Sequence, residues 1–165
     1  MERIIGAIVA IILGLLAMAG VGLMASDGFG SDKASKVTTD ITQTMSNARG
    51  QFMQNTNYTN FTTANIPAMI TSGIFPAPMV RGNALVDRWG NAVVLNNTNN
   101  GTVGTIQFGG GGSETAKQCA SVVTSIKDYV SLTVGGVMFT PQNQPDAVSA
   151  GAACGTSLQI TVAFQ

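Results

Sequence analysis

The sequence predicts an α+β fold: a long N-terminal helix, an antiparallel sheet packed against it, and a disulfide pinning the C-terminal third. Three observations carry this. Val37, Ile41, Met45, Ala48 and Phe52 recur at steps of four and three, the period of an amphipathic helix. Leu158, Ile160, Val162 and Phe164 alternate with Ser157, Gln159, Thr161 and Ala163, the period of a half-buried strand. Cys119 and Cys154 are an even pair in a chain that opens on an apolar segment, which favours a disulfide in an oxidising compartment over two buried thiols. Closing that loop constrains the unfolded chain by about 4 kcal/mol in the chain-entropy picture.

The apolar segment runs from Ile4 to Ala25 without a charge. As a helix it would span about 33 Å, close to the hydrocarbon thickness of a bilayer. Three readings compete. Ala17-Met18-Ala19 offers a small-x-small signal cleavage site, although Met1-Glu2-Arg3 carries no excess of positive side chains. A plain anchor needs only hydrophobicity. A helix that leaves the membrane for a polymer explains more: Gly6, Ala10 and Gly14 recur at i, i+4 and i+8, a small-residue stripe that lets helices approach closely. Glu2 stands at the edge of the apolar run. It either lies among headgroups or pairs with Arg3 or a neighbouring chain's amine.

Gly20, Gly22, Gly28 and Gly30 then weaken the helix, each by about 1 kcal/mol relative to Ala, and read as a softened or non-helical joint. A G-x-G-x-x-A match through Gly20, Gly22 and Ala25 follows an apolar helix instead of a strand, which argues against a nucleotide site. We therefore divide the chain into an apolar helix with its joint, residues 1–30, and a globular head, residues 31–165.

In the head, Ser31 or Asp32 is placed to cap the amphipathic helix. A Pro-rich connection follows, with a short helix expected over Asn65 to Thr71. Trp89-Gly90-Asn91 reads as a turn into a strand over Ala92 to Leu95, "NNTNNGT" as a turn, and Val103 to Phe108 as a second strand. Gly109 to Gly112 reads as a flexible break. Ser113 is placed to cap a helix on which Cys119, Val122, Val123 and Ile126 face inward. "YVSLTVGGVMFT" reads as a hairpin turning at Gly135-Gly136. The stretch from Pro141 to Gly155, with Cys154, reads as a loop.

Chemistry is sparse. Eight basic and eight acidic residues balance to zero, so no basic footprint points to nucleic acid. No histidine is present, which removes the commonest general base and metal ligand. Glu2 and Glu114 are the two glutamates, and the aspartates form no calcium-type run. Asp87 beside Arg88 reads as a local ion pair, and Trp89 as a core or turn aromatic. No catalytic constellation, cofactor site or metal site is expected.

The order of these parts resembles a type IV pilin of the b class, in particular the PilS-like pilins of thin conjugative and enteric pili. The residues carrying the resemblance are "MERIIGAIVAIILGLL", "KVTTDITQTMSNARGQF", "ALVDRWGNAVVL", "QCASVV", "LTVGGV" and the closing "AACGTSLQITVAF". The resemblance implies a major pilin: anchored in the inner membrane with a periplasmic head, extracted by an ATPase-driven assembly machine, and polymerised into an extracellular homopolymer by its apolar helices. It implies a role in cell–cell contact, conjugation or adhesion. Met1, Glu2, Gly6, Ala10 and Gly14 would then serve assembly, with Glu2 in the place of the family glutamate that meets a neighbour's N-terminus. That glutamate is usually the fifth mature residue. The Gly20–Gly30 joint would be the stretch that unwinds in filaments. With no basic leader before Met1, a mature form or an atypical start is expected. A minor pilin or pseudopilin of a secretion or uptake machine, and a membrane-anchored binding domain using the Trp89 turn, are the alternatives.

Overall fold

The computed structural model describes residues 30–52 and 57–165. The chain divides into two units, Met1–Asp32 and Lys33–Gln165, and the second holds the described fold. The first described element, α1, is helical over residues 30–52. Gly30 is already helical, so neither Ser31 nor Asp32 caps the helix. Ala34, Val37, Ile41, Met45 and Ala48 are all buried, as their spacing requires, and Phe52 packs at the core's edge.

A 3-10 turn, Thr63–Asn65, leads into α2, Ile66–Thr71, where Pro67 occupies the first turn and its missing N–H is no loss. A two-residue hairpin follows, β1 (Val80–Arg81) with β2 (Ala84–Leu85). The main sheet consists of β3 (Val94–Thr98), β4 (Val103–Phe108), β5 (Ser131–Val134), β6 (Val137–Phe139) and β7 (Ile160–Phe164). Its order is β3-β4-β7-β5-β6, antiparallel throughout, so the last strand in sequence lies at the centre. The register aligns Leu95, Ile106, Val162, Leu132 and Phe139 in one inward cross-strand row. That row shares a continuous core with the apolar face of α1. At its end Tyr58, Phe61 and Phe164 meet edge to face, with centroids 5.2 to 6.1 Å apart, a favoured quadrupole geometry. The Arg49 guanidinium of α1 covers the Phe164 ring at 5.7 Å.

The bounds of β3 differ from the sequence reading, whereas the β5–β6 hairpin turns where it was expected. β3 starts at Val94 and runs on through Asn96-Asn97-Thr98, so the turn shrinks to residues 99–102. Asparagine is a poor strand former, but Asn97 donates to the Thr59 carbonyl and β4 supplies the ladder, which overrides propensity. The β5–β6 turn falls at Gly135-Gly136, both with positive φ as a tight hairpin demands.

Two helices flank the sheet. α3, Ala116–Ser125, is capped by Thr115 and not by Ser113: the Thr115 hydroxyl accepts from the Gln118 N–H, and the Gln118 side chain accepts from the Thr115 N–H. The expected Pro141–Gly155 loop is largely helical. α4, Ala147–Thr156, carries Cys154 and begins in a second capping box between Asp146 and Ser149. Its Ala- and Gly-rich sequence has no apolar period to betray a helix. The cap starts it, and burial of Ala150, Ala153 and Cys154 against the core holds it.

Candidate functional site

The residues expected to serve assembly, Met1, Glu2, Gly6, Ala10 and Gly14, lie outside the described residues, as do the joint glycines Gly20, Gly22 and Gly28. Gly30 lies within α1. Among the described residues no helix is long and apolar enough to cross a membrane; the segment 4–25 is not among them. What the structure does place is the disulfide and a polar knot beside it.

Cys119 of α3 and Cys154 of α4 are bonded, with their Cα atoms 5.9 Å apart and a sequence separation of 35. Both are fully buried. Small residues on α4, Ala150 and Ala153, let the two helices approach within disulfide range. The bond joins two helices, where a helix and a loop were expected.

The knot gathers three segments that are far apart in sequence. Asp87 and Glu114 are each 7% exposed. One Asp87 oxygen accepts from the Trp89 and Asn91 N–H groups, both at 2.9 Å, and the other from the Gly109 N–H at 2.9 Å. Glu114 accepts from the N–H groups of Gly110 and Gly111. The Asn91 amide bridges the two carboxylates, 3.0 Å from Asp87 and 3.2 Å from Glu114. Burial by itself pushes the Glu114 carboxyl up. Its hydrogen bonds from its own backbone, Asn91, Gly110 and Gly111 outweigh that and hold it below the usual carboxylate range.

Gly109 to Gly112 is thus an ordered turn, with the N–H groups of Gly109, Gly110 and Gly111 cradling the carboxylates, and not a flexible break. A Cβ on Gly112 would run into the Trp89 backbone carbonyl oxygen, so only glycine closes the turn. Asp87 does not serve as the local partner of Arg88. Arg88 forks onto Asp40 of α1, at 2.6 and 3.2 Å, tying the knot's turn to the helix. Lys33 reaches Ser113 at 3.1 Å. Trp89 is buried, and its indole N–H finds no partner among the described residues.

Sequence reasoning missed Asn91, Glu114 and Asp40. The available signal was weak: short polar side chains around a Gly-rich turn, which commonly bond to backbone. Chemically the knot is saturated, because backbone and amide N–H groups take the carboxylate oxygens. Among the described residues no group of acidic or cysteine side chains could hold a metal ion. An open cleft of about 410 Å³ beside α2 is lined by Gln51, Asn60, Asn65 and Ser72 over Phe52 and Met69, with no titratable side chain.

Two solved structures share that head. The type IVb pilin from Salmonella typhi matches with a TM-score of 0.55 at 18% identity, over 79% of this chain and 97% of its own. TcpA, a type IV pilin from Vibrio cholerae El Tor biotype, matches with a TM-score of 0.56 at 16% identity, over 81% of this chain and 98% of its own. The chain has the type IV pilin fold. No family model matches the sequence, and no curated protein does. The described residues supply helix α1, the antiparallel sheet and the disulfide-bonded C-terminal region of that fold.

Proposed function

We propose that the protein is the major structural subunit of a type IV pilus. The observation that carries this reading is the fold match, which spans nearly the whole of both pilins and about four fifths of this chain. The head is stabilised by apolar burial, a saturated polar knot and a disulfide, a construction suited to a building block. In this reading residues 4–25 anchor the subunit in the inner membrane, and the assembly machinery then transfers them to the core of an extracellular homopolymer. Gly6, Ala10 and Gly14 let neighbouring helices close up, and Glu2 meets a neighbouring N-terminus. Gly20 to Gly30 is the stretch that yields when the fibre lengthens. The fibre serves cell–cell contact, conjugation or adhesion.

Electron cryo-microscopy of material sheared from cells tests this. The expected result is thin helical fibres built of this chain, with residues 4–25 in a central bundle. Short capping assemblies would favour a minor pilin or pseudopilin, and detergent-soluble monomers alone would overturn polymerisation. Gly14→Leu is expected to abolish fibres while leaving a membrane-inserted monomer with a folded head, read by fibre counts and by the disulfide's resistance to reduction.

A further inference from the structure

One corner of the head concentrates a sequence motif whose asparagines all face outward. The chain contains twelve asparagines, and four of them open an Asn-x-Thr triplet whose middle residue is not proline: Asn57-Tyr58-Thr59, Asn60-Phe61-Thr62, Asn96-Asn97-Thr98 and Asn100-Gly101-Thr102. Such triplets are the acceptors of N-linked sugar in surface loops of exported proteins. Two lie on the loop after α1 and two on the β3–β4 hairpin, some forty residues on, yet the fold brings all four together. The Tyr58 N–H donates to the Gly101 carbonyl. Asn97 donates to the Thr59 carbonyl at 3.1 Å, and the Thr63 hydroxyl bonds to Leu95 on β3.

All four acceptor asparagines are exposed, whereas the intervening Tyr58 and Phe61 point into the core. Asn57 is arranged for reaction: its Oδ1 accepts from the Thr59 N–H at 3.2 Å, an Asx turn that directs Nδ2 away from the backbone. Neither contributing stretch, residues 50–80 nor residues 89–113, contains a charged side chain. The corner's hydration rests on amides and hydroxyls alone.

We propose that this corner is a glycan-acceptor surface, with Asn57, Asn60, Asn96 and Asn100 as N-glycosylation sites. The co-reactant is a sugar diphosphate, linked to a lipid or to a nucleotide. The side-chain Nδ2 attacks the anomeric carbon, so an N–C bond forms. The bond from that carbon to the diphosphate oxygen breaks, and the diphosphate leaves with its electron pair. Nδ2 gives up one proton to the transferase's base. No oxidation or reduction occurs.

The test is mass spectrometry of the full chain recovered from the cells that naturally make it. Trypsin places Asn57 and Asn60 in the peptide 50–81, and Asn96 and Asn100 in the peptide 89–117. The expected result is that one or both peptides are heavier than their sequence by whole sugar residues. An amidase-type glycosidase then removes the added mass and leaves Asp in place of Asn. Asn57→Gln, Asn60→Gln and Thr59→Ala each lose the mass from the corresponding site, while Asn83→Gln, exposed and outside any triplet, changes nothing. Unmodified peptides overturn the proposal. So does sugar that survives the Asn→Gln changes, which would place it on threonine, or sugar on an asparagine elsewhere. The readout is made on monomer or fibre alike, so it fails or succeeds independently of the filament reading.

Discussion

The polar knot, which ends at Glu114 just before the α3 cap, and the disulfide-linked helix pair hold the head together by opposite means. The knot at Asp87, Asn91, Gly109–Gly112 and Glu114 works through the folded state. Each carboxylate oxygen has a placed N–H, so the buried charges are compensated by geometry. The Cys119–Cys154 bond works mainly through the unfolded state, by shortening a 35-residue loop, and depends little on the polarity around it. The first responds to pH and to single-atom changes, the second to redox potential. Acid weakens the first and a reductant the second, so no one condition weakens the two together.

The largest expected effect is loss of the covalent link. Cys119→Ser should lower stability by about 4 kcal/mol, measured by denaturant unfolding with Trp89, the single tryptophan, as reporter. A loss under about 1 kcal/mol would mean that α3 and α4 hold together without the bond. Next comes Asn91→Ala, which removes the amide bridging two buried carboxylates and should cost about 2 kcal/mol. Combined with Cys119→Ser, the two losses should add to within about 0.5 kcal/mol if the knot and the disulfide act independently. A larger coupling energy would show that α3 transmits one to the other. Thr115→Ala, at the cap lying between the two regions, should cost about 1 kcal/mol.

The smallest effect is the pH dependence of the knot. The Glu114 carboxyl is held below its unfolded value in the folded head, so its contribution is present above that value and is lost as pH falls through the folded one. Stability should therefore decline on acidification below the ordinary glutamate range. Glu114→Gln should flatten that part of the profile, and Cys119→Ser should not. A profile unchanged by Glu114→Gln would remove Glu114 from the acid response.

The sheet core and the knot also differ in how far they could be read in advance. Val103–Phe108, the Gly135-Gly136 hairpin, the inward face of α3 and the closing strand all follow from periodicity, because apolar burial is a property of a residue's own spacing. The knot was invisible for the converse reason. Glu114 and Asn91 are unremarkable polar residues until the chain brings Gly110 and Gly111 to one and both carboxylates to the other. α4 escaped because small residues carry no apolar period, and its helix depends on a two-residue cap and on α3.

Composition and periodicity alone settle that the chain is α+β, that α1 lays one face on a core, that the chain closes on a strand with Ile160, Val162 and Phe164 on its inward face, and that the two cysteines are available to pair; burial of Ala163 on the other face of that strand was not foreseen. These are local properties, written in spacings of two, three and four residues. Only the tertiary structure decides that β7 lies at the centre of the sheet, that Cys154 rides on a helix, that Arg88 reaches Asp40 instead of its neighbour, and that four glycines form an ordered turn. Each of these depends on segments tens of residues apart meeting at hydrogen-bond distance, and no local pattern encodes which donor meets which acceptor.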